Sequence, residues 1–334
     1  MTVRDDNTEP AMHSLTVGRF LFTLACTTLA AGPAQAQPYP NKPITFVVPF
    51  AAGSATDNLA RVIAEKIGAS LKQPVVIDNK AGASGFIAAQ QVAKAKPDGY
   101  TVFITANTTH ASNSALFKTL PYDPVKDFEP IAALGTVPLA VVVHPSIPAK
   151  NMAELIAYGK ANPGKISFGS GSTSSRMAGE MLKSMAGIDM VNVQYKSNPQ
   201  AVTDLLGGQI QLVIADAVTT MPHAKAGKLR ALAISTAKRS PIAPELPTVA
   251  ESGLPGYEMI GWFAAYVPAK TPKEIVAKLN AEIVRILESA DAKARLAAVG
   301  IETMTSTPEG LAEFQRVETA KWAKLVKAAG IQPE

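Results

Sequence analysis

The chain has one cysteine, Cys26, among 334 residues. It falls in the apolar run Phe20 to Ala31, which Arg19 precedes and Ala34, Gln35 and Ala36 follow, the layout of a secretory leader: basic start, apolar stretch, small-residue cleavage site. Cleavage near Ala36 removes residues 1–36 and leaves no thiol, which excludes disulfides, zinc thiolates and a cysteine nucleophile from the mature chain. Lipid attachment at Cys26 fits poorly, because it sits in mid run with Thr23 where a lipoprotein signal carries an aliphatic residue. The acidic stretch ahead of Met12 is unusual for a leader, so Met12 is an alternative start to Met1. The run is too short to span a bilayer comfortably, and no other long apolar run follows it.

Histidine is also scarce. His110, His144 and His223 stand apart, without the spacing of a metal site or a triad, and no G-x-S-x-G elbow is present. No metal and no cofactor is implied. Gly159, Gly164 and Lys165 have the spacing of a phosphate-binding loop, but Ile166 replaces the required hydroxyl residue and the segment runs from helix to strand, so nucleotide use is unsupported. Charge of neither sign is clustered. Removing two basic and three acidic residues with the leader raises the formal charge from +5 to +6, which suits an anionic ligand or simply a solvated surface. Basic clusters interleaved with aromatics are missing, which argues against nucleic acid.

What the sequence does have is a repeated strand, small-residue turn and helix. Val47 and Val48 close an apolar strand, Pro49 ends ladder donation, and Gly53 permits a turn; from Asn58 onward Leu59, Ile63, Ile67 and Leu71 recur at helical spacing. Ser54 and Asp57 have the form of a capping box, which starts the helix inside the turn and leaves free N–H groups as a seat for an anion. An ordinary strand-to-helix connection is the alternative. Strand 74–78, the loop Asn79 to Gly85, helix 87–95 and strand 100–104 continue a βαβαβ rhythm, the mark of a mostly parallel sheet. Asn107, Thr108 and His110 follow the last strand at its C-terminal end, where ligands sit in open α/β sheets.

Residues 111–130 read as irregular chain and 138–143 as a strand at a hinge. A helix at 153–161 and a strand at 165–168 then lead to the second turn, Gly169 to Arg176, ahead of a helix carrying Met177, Met181, Leu182 and Met185. Strands are expected at 191–193, 211–215 and 229–234, with a helix at 199–206; 239–257 is a proline- and glycine-rich connection, 259–266 returns to the first lobe, and helices 272–289 and 308–328 close the chain. Asp216 ends a strand and either selects ligands that carry an amine or caps the next helix. Tyr195, Trp262 and Phe263 are candidates for an apolar wall, or for core.

The order of short motifs resembles the solute-binding proteins of tripartite tricarboxylate transporters, the Bug family. The matching pieces are Tyr39 to Ile44, Val48 to Phe50 with Thr56 and Asp57, Lys96 to Thr101, Leu120 to Phe128, Ala178 to Glu180, Asp204 to Gly208, Gly227 to Leu232 and Leu246 to Tyr257. The resemblance implies a type II periplasmic binding fold: two α/β lobes joined by two crossing segments, residues 37–138 with 263–334 and residues 139–262, closing on a ligand in the cleft. It also implies a carboxylate-bearing organic acid held by two jaws. The first jaw is Phe50, Ala52, Gly53, Ser54, Ala55, Thr56 and Asp57; the second is Ser170, Ser172, Thr173, Ser174, Ser175 and Arg176. Arg176 stands where the family usually has histidine; it is expected either to grip a ligand carboxylate or to pair with Glu180, four residues along its helix.

The expected function is therefore uptake from the periplasm by a monomer that binds no nucleic acid and hands its ligand to membrane permease subunits. A periplasmic ester hydrolase and a ligand sensor feeding a membrane receptor are the rival readings. Dicarboxylates, tricarboxylates, aromatic acids and amino acids all fit the sequence equally.

Overall fold

Ile44, Phe46, Val47 and Val48 of the first strand, β1 (Ile44–Val48), are fully buried, as in a strand covered on both faces. The computed structural model describes residues 39–334, so the expected leader and its cleavage site lie outside the described residues. From β1 the chain passes through α1 (Ala55–Leu71), β2 (Val75–Asn79), α2 (Phe86–Ala93) and β3 (Thr101–Ala106); β2 and β3 flank β1 in parallel. Helix α1 buries Leu59, Ile63 and Ile67, the face that the sequence spacing predicts.

Beyond β3, where the pattern suggests irregular chain, there is a wide helical turn, Thr108–Ser112, that continues as α3 (Asn113–Leu116). The Ser112 hydroxyl bonds back to the carbonyls of Asn107 and Thr108 at 3.2 and 3.3 Å, an ordering that apolar periodicity does not reveal. Strand β4 (Phe128–Val143) is much longer than the six residues expected. It contains Pro130 beside a bulge and Pro138 where the strand changes neighbours, two kinds of place where a strand tolerates proline.

The second half comprises α4 (Met152–Ala161), β5 (Ile166–Ser170), α5 (Thr173–Ala186), β6 (Met190–Gln194), α6 (Asn198–Leu206), β7 (Leu212–Asp216), α7 (Ala217–Lys225) and β8 (Arg230–Ile234). β6 and β7 lie parallel to β5 on its two sides, and the end of β4 pairs antiparallel with β7 from Leu139 and with β8 from Ala140. β9 (Ile260–Pro268) then runs back between β3 and β4, antiparallel to each. The strand order β2-β1-β3-β9-β4-β7-β5-β6 makes the sheet mixed, with parallel strands confined to its two ends.

Where one closing helix was expected before the last, two are present, α8 (Lys273–Glu288) and α9 (Ala290–Ala298). Ser289 divides them: it ends α8, and its hydroxyl accepts from the Ala292 N–H at 3.3 Å. The short β10 (Glu302–Thr303) pairs with β4, and α10 (Pro308–Ala328) packs Leu311, Trp322 and Val326 into the interior.

Two passages connect the halves. β4 goes over between Pro138 and Leu139, and the segment between β8 and β9 comes back. Ser235 ties the two passages together. Its hydroxyl accepts from the Leu139 N–H at 2.9 Å and donates to the Met259 carbonyl, while its own N–H donates to Leu139 O at 2.8 Å. The apolar interior is continuous through this junction, since Leu139, Phe168, Trp262 and Trp322 belong to one cluster.

Candidate functional site

Each small-residue turn is organised by its own helix start. In the first, Ser54 is the N-cap of α1 and its hydroxyl accepts from the Asp57 N–H at 3.2 Å. Asp57 reaches back to the Gly53 N–H at 2.9 Å, closing the capping box one residue earlier than the usual pattern. Gly53 adopts φ +80°, which a residue with a Cβ takes only under strain. Asn79 donates to Asp57 Oδ1 and to the Phe50 carbonyl, both at 3.0 Å, and so locks the turn to the end of β2. The N–H groups of Ala55 and Thr56, in the first turn of α1, have no intrahelical acceptor and carry the positive end of the helix dipole.

The second turn repeats this chemistry. Ser172 caps α5 and accepts from the Ser175 N–H at 3.2 Å, leaving Thr173 and Ser174 at the helix start. The Gly171 N–H donates to Asn198 Oδ1 at 2.9 Å, Asn198 donates to Asp216 Oδ2 at 2.8 Å, and Ser170 donates to Asn192 at 2.7 Å. The ends of β5, β6 and β7 are thereby drawn together beneath the turn.

The two turns face one another. A cavity of about 330 Å³ is lined by Phe50, Ser84, Gly85, Thr108, Leu116 and Phe117 from one half and by Ser170 to Thr173, Arg176, Gln194, Tyr195 and Lys196 from the other. A narrow crevice of about 20 Å³ shares Phe50, Thr108, Gly171 and Ser172 with it and adds Ser54, Ala55, Thr56, Asn107, Ser174, Asn198 and Asp216. That volume is about the room of one water or one carboxylate oxygen. Both helix starts therefore open on the same point. Across the seam, Asn107 Nδ2 donates to Ser174 Oγ at 2.9 Å, and Thr173 Oγ1 lies 2.5 Å from Ser112 Oγ and 3.0 Å from Thr108 Oγ1.

Several residues singled out in the sequence stand elsewhere. His110 is fully buried, its ring 3.8 Å from that of Tyr266 and nearly parallel, with Nδ1 at 2.9 Å from Thr109 Oγ1. Burial pushes its pKa down to about 3, so it is neutral at physiological pH and packs beneath the cleft. Trp262 is likewise core, donating to Glu318 at 2.9 Å. Ser175 is buried and donates to Ile214 O, whereas Ala52 and Gly53 are exposed outside the lining. Asp57 is taken up within its own turn, the capping alternative. Arg176 lines the cavity, and its ion pair is with Glu334 at 2.7 Å, not with Glu180. A His–Ser contact, His144 Nδ1 to Ser146 Oγ at 2.8 Å, lies outside the cleft.

The sequence reading passed over Ser84, Gly85, Leu116, Phe117, Gln194 and Lys196. Ser84 and Gly85 close the loop from Asn79 to Gly85 that follows β2, Gln194 ends β6 and Lys196 follows it, so four of the six lie at or beyond the C-terminal end of a strand, as the two turns do. Leu116 and Phe117 reach the cavity through the helical turn that periodicity missed.

Burial opposes ionisation of Asp57, but the Arg61 Nε–H at 2.9 Å, the Gly53 N–H and Asn79 outweigh it and hold the carboxyl below its ordinary range. A lowered carboxylate pKa stabilises the fold above the unfolded value, near pH 4, and that contribution disappears as pH falls through the folded value. Asp57→Asn is accordingly expected to cost roughly 1–3 kcal/mol at pH 7. In urea titrations the gap from wild type should be flat above pH 5 and shrink below pH 4; a gap that widens on acidification would refute the assignment.

Two α/β halves, two passages between them and a cleft lined from both sides define a periplasmic-binding-protein fold of type II. The chain belongs to the tripartite tricarboxylate transporter receptor family, TctC, whose model matches residues 59–331. It is similar to a protein encoded in the tcbD-tcbE intergenic region of Pseudomonas sp. (strain P51), with 36% identity over 306 residues, 91% of each chain. Among solved structures it is similar to R. palustris Rpa4515 with adipate, at 38% identity and a TM-score of 0.87, covering 89% of this chain and 100% of that one. It is also similar to the periplasmic binding protein BugD, at 35% identity and a TM-score of 0.85, with the same coverage.

Proposed function

We propose that this chain is an extracytoplasmic solute-binding protein. It captures a small carboxylate-bearing organic acid between lobes formed by residues 37–138 with 263–334 and by residues 139–262, and delivers it as a monomer to the permease subunits of a tripartite tricarboxylate-type transporter. The observation that carries the reading is the convergence of the first turns of α1 and α5 on one crevice at the edge of a 330 Å³ cavity. Two helix starts bring unpaired N–H donors and like dipole ends together, an arrangement that favours an anion. Family membership and the adipate bound to the similar Rpa4515 support the same chemistry.

In this reading one ligand carboxylate faces Ala55, Thr56, Ser172 and Ser174, with Asn107 and Thr108 alongside, and the body of the acid lies against Phe50, Leu116, Phe117 and Tyr195. Asp216 sits at the crevice, where burial pushes its carboxyl up and Asn198 partly opposes the shift. When ionised it favours a ligand that also carries a cationic group there. Closure would turn on the two passages near Leu139 and Met259, which Ser235 joins. Among the described residues no helix is long and apolar enough to cross a membrane.

A thermal-shift screen of the mature protein against mono-, di- and tricarboxylates, aromatic acids and amino acids tests this. The bound acid should stabilise the fold by about 2.7 kcal/mol at a hundredfold excess over Kd. A melting temperature unmoved by every acid at millimolar concentration would reject a binding role.

A further inference from the structure

Arg176 and Glu334 meet at the mouth of the cleft, Nη1 to Oε1 at 2.7 Å. They belong to opposite halves. Arg176 stands on α5, whereas Glu334 is fastened to the segment after α3: its N–H donates to the Leu116 carbonyl at 2.9 Å and its carbonyl accepts from the Lys118 N–H at 2.8 Å. Leu116, Phe117 and Arg176 all line the 330 Å³ cavity. The chain thus places a carboxylate of its own beside the ligand site and holds it there by main-chain bonds on both sides.

The charges of the cleft follow from this. Lys196 and Arg176 are the cationic side chains in its lining, and Asp216 is the acid in the adjoining crevice. Glu334 already compensates Arg176, whose side chain is only 18% exposed. The Arg176 Nε–H is buried without an acceptor, so the guanidinium keeps a donor that Glu334 does not use. A carboxylate arriving beside Arg176 meets a cation that Glu334 already neutralises; with Glu334 uncharged it would meet a full positive charge in a partly desolvated place.

We propose that Glu334 is a specificity-determining residue: by engaging Arg176 it sets the cleft to accept acids with one carboxylate and disfavours those whose second carboxylate reaches the mouth. The proposal rests on the carboxylate-binding reading above. Its consequence is that ligand charge, separately from ligand length, is read at the cleft mouth by a residue distant from both turns in sequence.

Hexanoate and adipate separate the two variables, since they share a six-carbon chain and differ by one terminal carboxylate. Titration calorimetry at pH 7 would compare wild type, Glu334→Gln, Arg176→Gln and the double variant. Glu334→Gln keeps the main-chain bonds and alters a half-exposed side chain, so its melting curve should match that of wild type. The ratio Kd(adipate)/Kd(hexanoate) should fall at least fivefold in Glu334→Gln and stay within twofold when the same change is made in the Arg176→Gln background, where the cation that Glu334 masks is gone. A smaller fall, or an equal fall in both backgrounds, would overturn the proposal. Binding of neither acid, nor of any other carboxylate, by all four proteins would instead overturn the carboxylate reading and this proposal with it.

Discussion

Gly171→Ala is expected to weaken acid binding about a hundredfold while leaving most of the fold in place. A Cβ at this position would lie 2.0 Å from the Ser197 carbonyl carbon, 2.1 Å from the Asn198 nitrogen and 2.4 Å from the Ser197 oxygen. All three are backbone atoms at the start of α6, so no rotamer change relieves the clash and one of the two segments must move. Either movement breaks the 2.9 Å bond from the Gly171 N–H to Asn198 and displaces Ser172, the cap on which α5 begins. Overpacking of this kind costs about 1–3 kcal/mol of stability. Binding should suffer as much again, because Gly171 and Ser172 line both the cavity and the crevice. A loss of affinity of about a hundredfold, equivalent to ~2.7 kcal/mol, is the expected result by calorimetry. Unchanged affinity and melting temperature would mean that the second turn does not hold the ligand.

The second large effect is expected at Asn107. This side chain is 1% exposed and joins three elements at the seam between the halves: it follows β3, bonds Ser174 on α5 and accepts from the Trp262 N–H on β9 at 3.4 Å. Asn107→Leu keeps the volume and removes both polar atoms, which leaves the Ser174 hydroxyl and the Trp262 N–H buried without that partner. Each orphaned group costs about 1–3 kcal/mol, so a total loss of roughly 2–6 kcal/mol is expected in urea unfolding. The Asn107–Ser174 contact spans the halves, so part of the loss should fall on the closed form and weaken ligand binding in addition. A variant as stable as wild type would show that the seam is wet or open in solution.

The turns were legible because their signals are local. Ser54 with Asp57, and Ser172 ahead of Thr173, announce helix starts within a few residues, and Leu59, Ile63 and Ile67 declare a buried face by spacing alone. Other features were misread for equally definite reasons. Trp262 and Phe263 are apolar at the end of a returning strand, and nothing in that spacing separates a cavity wall from core: Trp262 packs into core and bonds Glu318, while Phe263 touches the crevice. His110 looked like a ligand at a strand end, but the helical turn that follows β3 rotates it under the sheet against Tyr266.

Composition and local patterning by themselves determined that the chain is an α/β protein with two strand, small-residue turn and helix units, the first of them carrying a cap. Only the tertiary structure decided that these turns share one crevice and that Arg176 answers to Glu334. The reason is range: a cap or a helical face is set by neighbours along the chain. The charge and exposure of a cleft residue depend instead on whichever distant segment the folded sheet brings beside it.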